Sequence, residues 1–358
     1  MIIQNSFSKE WILNFKNQEK YKKCDPALIE KMIYALYLVE CLCQQKIDFI
    51  FKGGTSLALI IGNSNRFSVD VDILCTKSRN EIEAAFEKIT QSSEFHSFNI
   101  DNARSYENAS IPKAHYFFYY NSNFNNNASY ILLDILFQEN KYPQIQNVKI
   151  ESNWINTAKE PSFVYTPTIN SILGDKLTAF APNTTGIPYF KHKELEIVKQ
   201  LFDVTLLISK ANNIEEVFHS FKRIANEEIK FRNLPIHYEN VLDDIIQTAL
   251  LISLREKNED LNLQKYNEIK LGISKFGSFI INGSFRIDDV IEASAKTAFL
   301  AAKLKANDLN PIIEFNENID LKDLQIKKTE HLRLNKLKKS NKAAFYYWYQ
   351  CDQILTDK

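Results

Sequence analysis

Asp70 and Asp72 lie two residues apart in a run from Val69 to Leu74 that alternates aspartate with valine and isoleucine. An alternation of period two is that of a β-strand, so both carboxylates are expected on one face, where they can close on one cation. A carboxylate on a buried strand is costly unless a metal or a hydrogen-bond donor meets it, and hard oxygen ligands suit Mg²⁺ or Mn²⁺. Upstream, Gly53 and Gly54 are adjacent in a chain with only eight glycines, which marks a tight turn or a close approach of backbone to ligand. The TSLALIIG segment beginning at Thr55 reads as a compact helix with a capping threonine, and a helix start offers unpaired N–H groups to a phosphate. A third carboxylate, Asp134, interrupts the apolar run YILLDILF. Three such acids suffice to hold two cations about 3.5–4 Å apart for an in-line displacement at phosphorus.

The flanking patterns say which elements must hold these residues. Apolar residues recur at helical spacing from Ser8 to about Lys46, with Asp25 and Pro26 as cap and first-turn signals, so two helices are expected there. Phe49 to Phe51 is a short strand ending at the glycine pair, and Arg79 to Thr90 is an amphipathic helix. Aromatic and β-branched runs such as HYFFYY and SYILLDILF predict strands up to Ile150, and the asparagine-rich stretch Asn121 to Ser129 predicts the hairpin loop between them. Helical periodicity takes over from Ile169 to about Lys305, broken by the loop PNTTGIPYF. The expected organisation is α+β, with a mixed sheet and flanking helices in residues 1–165 and a mainly helical part in residues 166–358.

Composition removes several functions. Forty-four basic residues balance forty-four acidic ones, so nucleic acid could be held only by a local patch. One such patch runs from Ile326 to Lys342 into the aromatic cluster Phe345 to Tyr349, which can clamp RNA phosphates and stack a base; a solvated helix face with an apolar docking end is the competing reading. The absence of a long apolar stretch and of a basic, apolar leader predicts no membrane and a cytoplasmic protein. Five cysteines without a CxxC pair are expected reduced, and His96, His115, His192, His219, His237 and His331 show no metal-binding spacing. Neither GxGxxG nor GxxxxGK[ST] occurs.

The order of glycine pair, helix, acid pair and later strand aspartate resembles the nucleotidyltransferase superfold of the DNA polymerase beta type. Within it the chain resembles the AbiEii/AbiGii-like toxin nucleotidyltransferases, carried by Gly53, Gly54, Thr55, Leu57 and then Arg66, Phe67, Ser68, Asp70 and Asp72. Asp175-Lys176-Leu177-Thr178-Ala179 and Lys199-Gln200-Leu201-Phe202-Asp203 look like two further motifs of that group. Two positions depart from it. Phe180 to Asn183 stand where an arginine is usual, which leaves Lys191 or Lys193 for its phosphate-pairing role, and Gln200 replaces an aspartate.

The resemblance implies a nucleotidyltransferase-fold sheet with a helical C-terminal domain and Mg²⁺-dependent (or Mn²⁺-dependent) transfer of a nucleoside monophosphate from an NTP. It further implies a toxin of a bacterial toxin–antitoxin or phage-defence pair, with a cognate antitoxin and the 3′ end of tRNA as acceptor. Asp70, Asp72 and Asp134 would hold the metal, while Gly53, Gly54, Thr55, Arg66 and Ser68 would contact or position the phosphates. Lys176 would bring a compact charge to the triphosphate. Asp203, flanked by apolar neighbours, should have its charge disfavoured by burial and becomes a base candidate, a salt bridge to a lysine being the alternative. Asp134 could be metal ligand or base, and both roles stay open. Two other readings compete: nucleotidyl or phosphoryl transfer to a protein, and a non-catalytic module that sequesters a partner, which a complete acid set disfavours.

Overall fold

The computed structural model of the protein describes residues 1–62, 65–102, 112–158 and 160–356. The chain divides into two units, Met1–Thr168 with Ser278–Gly283, and Ile169–Gly277 with Ser284–Lys358.

In the first unit two helices, α1 (Lys9–Lys16) and α2 (Pro26–Gln44), precede β1 (Phe49–Lys52) and α3 (Gly53–Ile60). They are followed by β2 (Val71–Cys75), α4 (Arg79–Ser92), β3 (Phe95–Ile100), β4 (Lys113–Asn121), β5 (Ala128–Phe137), β6 (Ile145–Lys149) and β7 (Phe163–Pro167). Helix α2 starts where the sequence signals it: the Asp25 side chain accepts from Ala27 N–H, and Pro26, which has no N–H to satisfy, opens the first turn. The strands form one mixed sheet in the order β3-β4-β5-β2-β1-β7-β6. Strand β2 runs antiparallel to β1 and parallel to β5. The hairpin of β4 and β5 pairs Asn121 with Ala128, so its asparagine-rich loop holds residues 122–127.

One face of this sheet carries the core. Phe51, Val71, Ile73, Tyr116, Phe118, Ile131, Leu133 and Ile135 alternate along their strands and join Ile33 and Leu36 of α2 and Phe86 of α4 in one apolar cluster. The residues between them, Lys52, Asp72, Asp134 and His115, are only half-buried and belong to the other face. Burial of the first face therefore settles where the polar ones point. The five cysteines are free, and burial pushes the thiols of Cys41 and Cys43 up to about 12, which leaves them as small core groups.

The second unit is helical: α5 (Ile169–Ala179), α6 (Glu194–Ile208), α7 (Ile214–Phe231), α8 (Tyr238–Leu254), α9 (Asp260–Phe276), α10 (Ile287–Lys305), the short α11 (Leu337–Ser340) and α12 (Lys342–Thr356). Helix α5 packs on α6 and α7, and α10 lies between α8 and α12. Among the described residues no helix is long and apolar enough to cross a membrane.

Of the two readings of the aromatic cluster, the apolar docking end is the one the structure contains. Phe345, Tyr346, Tyr347 and Trp348 are buried in α12; Trp348 Nε1 donates to Ser253 Oγ on α8 at 2.9 Å, and Tyr347 stacks on Phe299 of α10. These rings are core and cannot stack a base, because α12 is packed against neighbours on several sides. Trp348→Ala should accordingly lower the stability of the helical unit by about 3–5 kcal/mol, read by chemical denaturation; a loss below about 1 kcal/mol would show that the ring is not packed as described.

Candidate active site

The register of four neighbouring strands assembles a polar row. Lys52 on β1 pairs with Asp72 on β2, Asp72 with Asp134 on β5, and Asp134 with His115 on β4. Residues directly opposite each other on adjacent strands share a face and lie about 5 Å apart at Cβ, so the four side chains form one line across the sheet. His115 Nδ1 lies 2.6 Å from Asp134 Oδ1. Asp70 sits one residue before β2; it is exposed, and its carbonyl accepts the Thr55 hydroxyl at 2.5 Å. The structure thus brings Asp72 and Asp134 together in register, with Asp70 at the entrance of the same strand.

The glycine pair closes the row at one end. Gly53 has φ +76°, a conformation that side chains resist, and a methyl group there would collide with the Asp72 carboxylate. At Gly54 a methyl would come within 2.5 Å of both the Arg66 guanidinium and Ser68 Oγ. Gly53 is therefore needed for the turn and for close approach to Asp72, and Gly54 for close approach to Arg66 and Ser68. Helix α3 begins at Gly53 itself, two residues earlier than the expected threonine cap; Thr55 instead ties the helix to Asp70, and Ser56 Oγ donates to Gly53 O at 2.8 Å. Arg66 is buried beside Gly54 and donates to Phe67 O at 2.8 Å, so its charge braces the turn from behind.

Asp72 and Asp134 offer hard carboxylate oxygens at one register, a donor set that fits Mg²⁺ or Mn²⁺. Among the described residues no group of three or more His, Cys, Asp and Glu side chains is gathered as a metal cage. Mg²⁺ characteristically takes one or two carboxylates and completes its shell with substrate phosphates and water, so a carboxylate pair beside the Gly53 turn suits it.

In the helical unit, Lys176 on α5 and Asp203 on α6 form a buried ion pair, Nζ to Oδ2 2.9 Å, with the side chains 10% and 1% exposed. Lys176 also donates to Gln200 Oε1 at 3.0 Å. Of the two readings of Asp203, the salt bridge to a lysine is the one the structure contains, and Gln200, read as a departure, is a neutral second acceptor for the ammonium. The segment after Ala179 also finds its reason. Phe180 is fully buried, and the loop behind it is pinned when Asn183 N–H and the Thr184 hydroxyl donate to Asp244 Oδ2, each at 2.8 Å. Burial still drives the Asp244 carboxyl upward from its ordinary range. Lys191 and Lys193 are exposed beyond that loop.

Lys52 and His115 are the two residues of the row that sequence reasoning missed. Neither carries a motif; the hairpin register, set by a loop at 122–127 rather than by the expected Asn121 to Ser129, is what brings position 115 opposite 134.

A family model described as the nucleotidyl transferase AbiEii toxin of type IV toxin–antitoxin systems matches residues 37–273. The chain is a nucleotidyltransferase. It belongs to the AbiEii toxin family, and the match runs from α2 through α9, covering the acid row, the glycine turn and the Lys176–Asp203 pair. Membership implies an NTP substrate and a cognate antitoxin, and enzymes of this kind generally use a divalent metal. Two solved Helicobacter pylori structures are similar. One, a candidate nucleotidyltransferase, is 18% identical over 78% of this chain and 94% of its own, with a TM-score of 0.42. The other, JHP933, is 15% identical over 86% and 95%, with a TM-score of 0.40. No curated protein matches the chain.

Two outcomes follow from this geometry. Gly53→Ala should keep the fold, at a strain of about 1–2 kcal/mol, yet displace Asp72 and cut transfer at least about a hundredfold; wild-type turnover would show that the turn does not position the acid. Lys176→Met removes the 2.9 Å ion pair to the buried Asp203 and should cost about 1–5 kcal/mol, of which adding Asp203→Leu should restore a part. Thermal melts of the single and double variants read this directly, and an unrestored double variant would contradict the pairing.

Proposed function

We propose that the enzyme transfers a nucleoside monophosphate from an NTP to the 3′-terminal hydroxyl of tRNA. The observation that carries the reading is the in-register pair Asp72 and Asp134 beside the Gly53 turn. Asp72 and Asp134, joined by Asp70, would hold Mg²⁺, which supplies charge neutralisation and orientation of the triphosphate. The backbone N–H groups at Gly53, Gly54 and Thr55 meet phosphate oxygens at the start of α3. Arg66 and Ser68 keep that turn in shape. For Lys176 the resemblance implies a compact positive charge toward the triphosphate; within the helical unit its ammonium is held by Asp203 and Gln200.

The acceptor oxygen attacks the α-phosphorus, the bond to the β-phosphate oxygen breaks, pyrophosphate leaves, and the hydroxyl proton passes to a base or to water. Because one Asp134 oxygen is engaged by His115, we read Asp134 as a ligand rather than as the proton acceptor. The tRNA acceptor and a phage-defence role rest on the resemblance to related toxins. Binding to RNA should weaken steeply with salt.

Incubating the purified protein and Mg²⁺ with each of the four α-labelled NTPs and total RNA tests this. Label is expected at tRNA 3′ ends, reduced by about 10³-fold or more in Asp72→Asn. Label on protein, or on internal RNA positions, would overturn the acceptor assignment.

A further inference from the structure

We propose that His115 is a positioning residue of the acid row: its Nδ1–H holds Asp134 through Oδ1 and thereby aims the other carboxylate oxygen at the cation shared with Asp72. The inference rests on the metal reading above and concerns a residue that no motif of the sequence pointed to. His115 stands on β4 directly opposite Asp134 on β5, with Ala114 and Tyr116 on either side turned into the core. The flanking core residues fix the strand's facing, so the imidazole is delivered to the open face by the register. At 2.6 Å the contact is a short hydrogen bond, and the pair is largely shielded, with side chains 13% and 26% exposed.

An ionised carboxylate only accepts, which places the proton on Nδ1 and leaves Nε2 as the ring's second polar atom. A carboxylate on a strand otherwise swings between rotamers, and each swing moves its oxygens out of reach of a shared ion. A hydrogen bond to one oxygen removes that freedom, as partners behind metal ligands do, with effects of about 10–100-fold in metal affinity when they are lost. A lysine or arginine at 115 could make the same bond, but it would bring a permanent positive charge beside the cation's place. Imidazole holds the carboxylate through a single N–H.

The test is Mn²⁺ binding by the full chain, followed by the electron paramagnetic signal of free Mn²⁺, with and without a non-hydrolysable NTP analogue. His115→Phe keeps the volume and removes the donor; it should weaken Mn²⁺ binding about 10–100-fold, with the KM for NTP at saturating metal little changed. In His115→Asn the amide nitrogen occupies the place of Nδ1 along the side chain, so binding should stay within about threefold of wild type, whereas His115→Gln, whose nitrogen lies one bond further out, should not rescue. Circular dichroism melts confirm that each variant is folded, and if the Phe variant fails to fold, the Asn and Gln variants decide. Wild-type affinity in His115→Phe alongside weakened binding in Asp134→Asn, or equal affinity in the Asn and Gln variants, would overturn the positioning role alone. A wild-type protein with no Mn²⁺ site sensitive to Asp72→Asn would overturn the metal reading beneath it as well.

Discussion

The chemistry of the first unit depends on one constraint, the parallel pairing of β2 and β5 at the register that sets Asp72 beside Asp134. Parallel neighbours cannot be joined by a tight turn, so the chain between them makes a long excursion through α4, β3 and β4 before β5 returns to the centre of the sheet. A slip of β5 by one residue would bury Asp134 in the core and turn Leu133 outward, a cost of several kcal/mol in misplaced charge alone. Hydrophobic burial on the α2 side is thus what holds the register, and the acids occupy their places because the apolar residues between them occupy theirs.

The two faces of the sheet divide the labour. The face toward α2 and α4 is aromatic and aliphatic, closed and rigid. The other face holds the row Lys52, Asp72, Asp134 and His115, in which each acid has the other acid on only one side. Lys52 sets a positive charge beside Asp72 and His115 engages one Asp134 oxygen, so the two carboxylates can share one register. Gly53 then lets the backbone come as close to Asp72 as a side chain would, which sets the start of α3 against that carboxylate.

Much of this was legible in the sequence because it follows from periodicity. The alternation around Asp72 and Asp134, the rarity of glycine, and the cap at Asp25 each announced an element that the structure contains. What depends on pairing between distant segments was not legible. His115 and Lys52 carry no motif, and their meaning appears only once strand order and register are known. The tail aromatics left two readings open because composition says nothing about which way a helix is turned; α12 turns Trp348 toward α8 and α10. Asp203 looked isolated among apolar neighbours along the chain, while its partner Lys176 comes from a different helix.

The central claim is that Asp72 and Asp134 jointly seat a divalent cation against the triphosphate. A crystal of the protein grown with Mn²⁺ and a non-hydrolysable NTP, with anomalous data, addresses it most directly. The account predicts an anomalous peak bonded to an oxygen of each of these two carboxylates and to a phosphate oxygen, with the triphosphate at the Gly53–Gly54 turn. A nucleotide and metal bound elsewhere, with either carboxylate left out of the metal's shell, would contradict it.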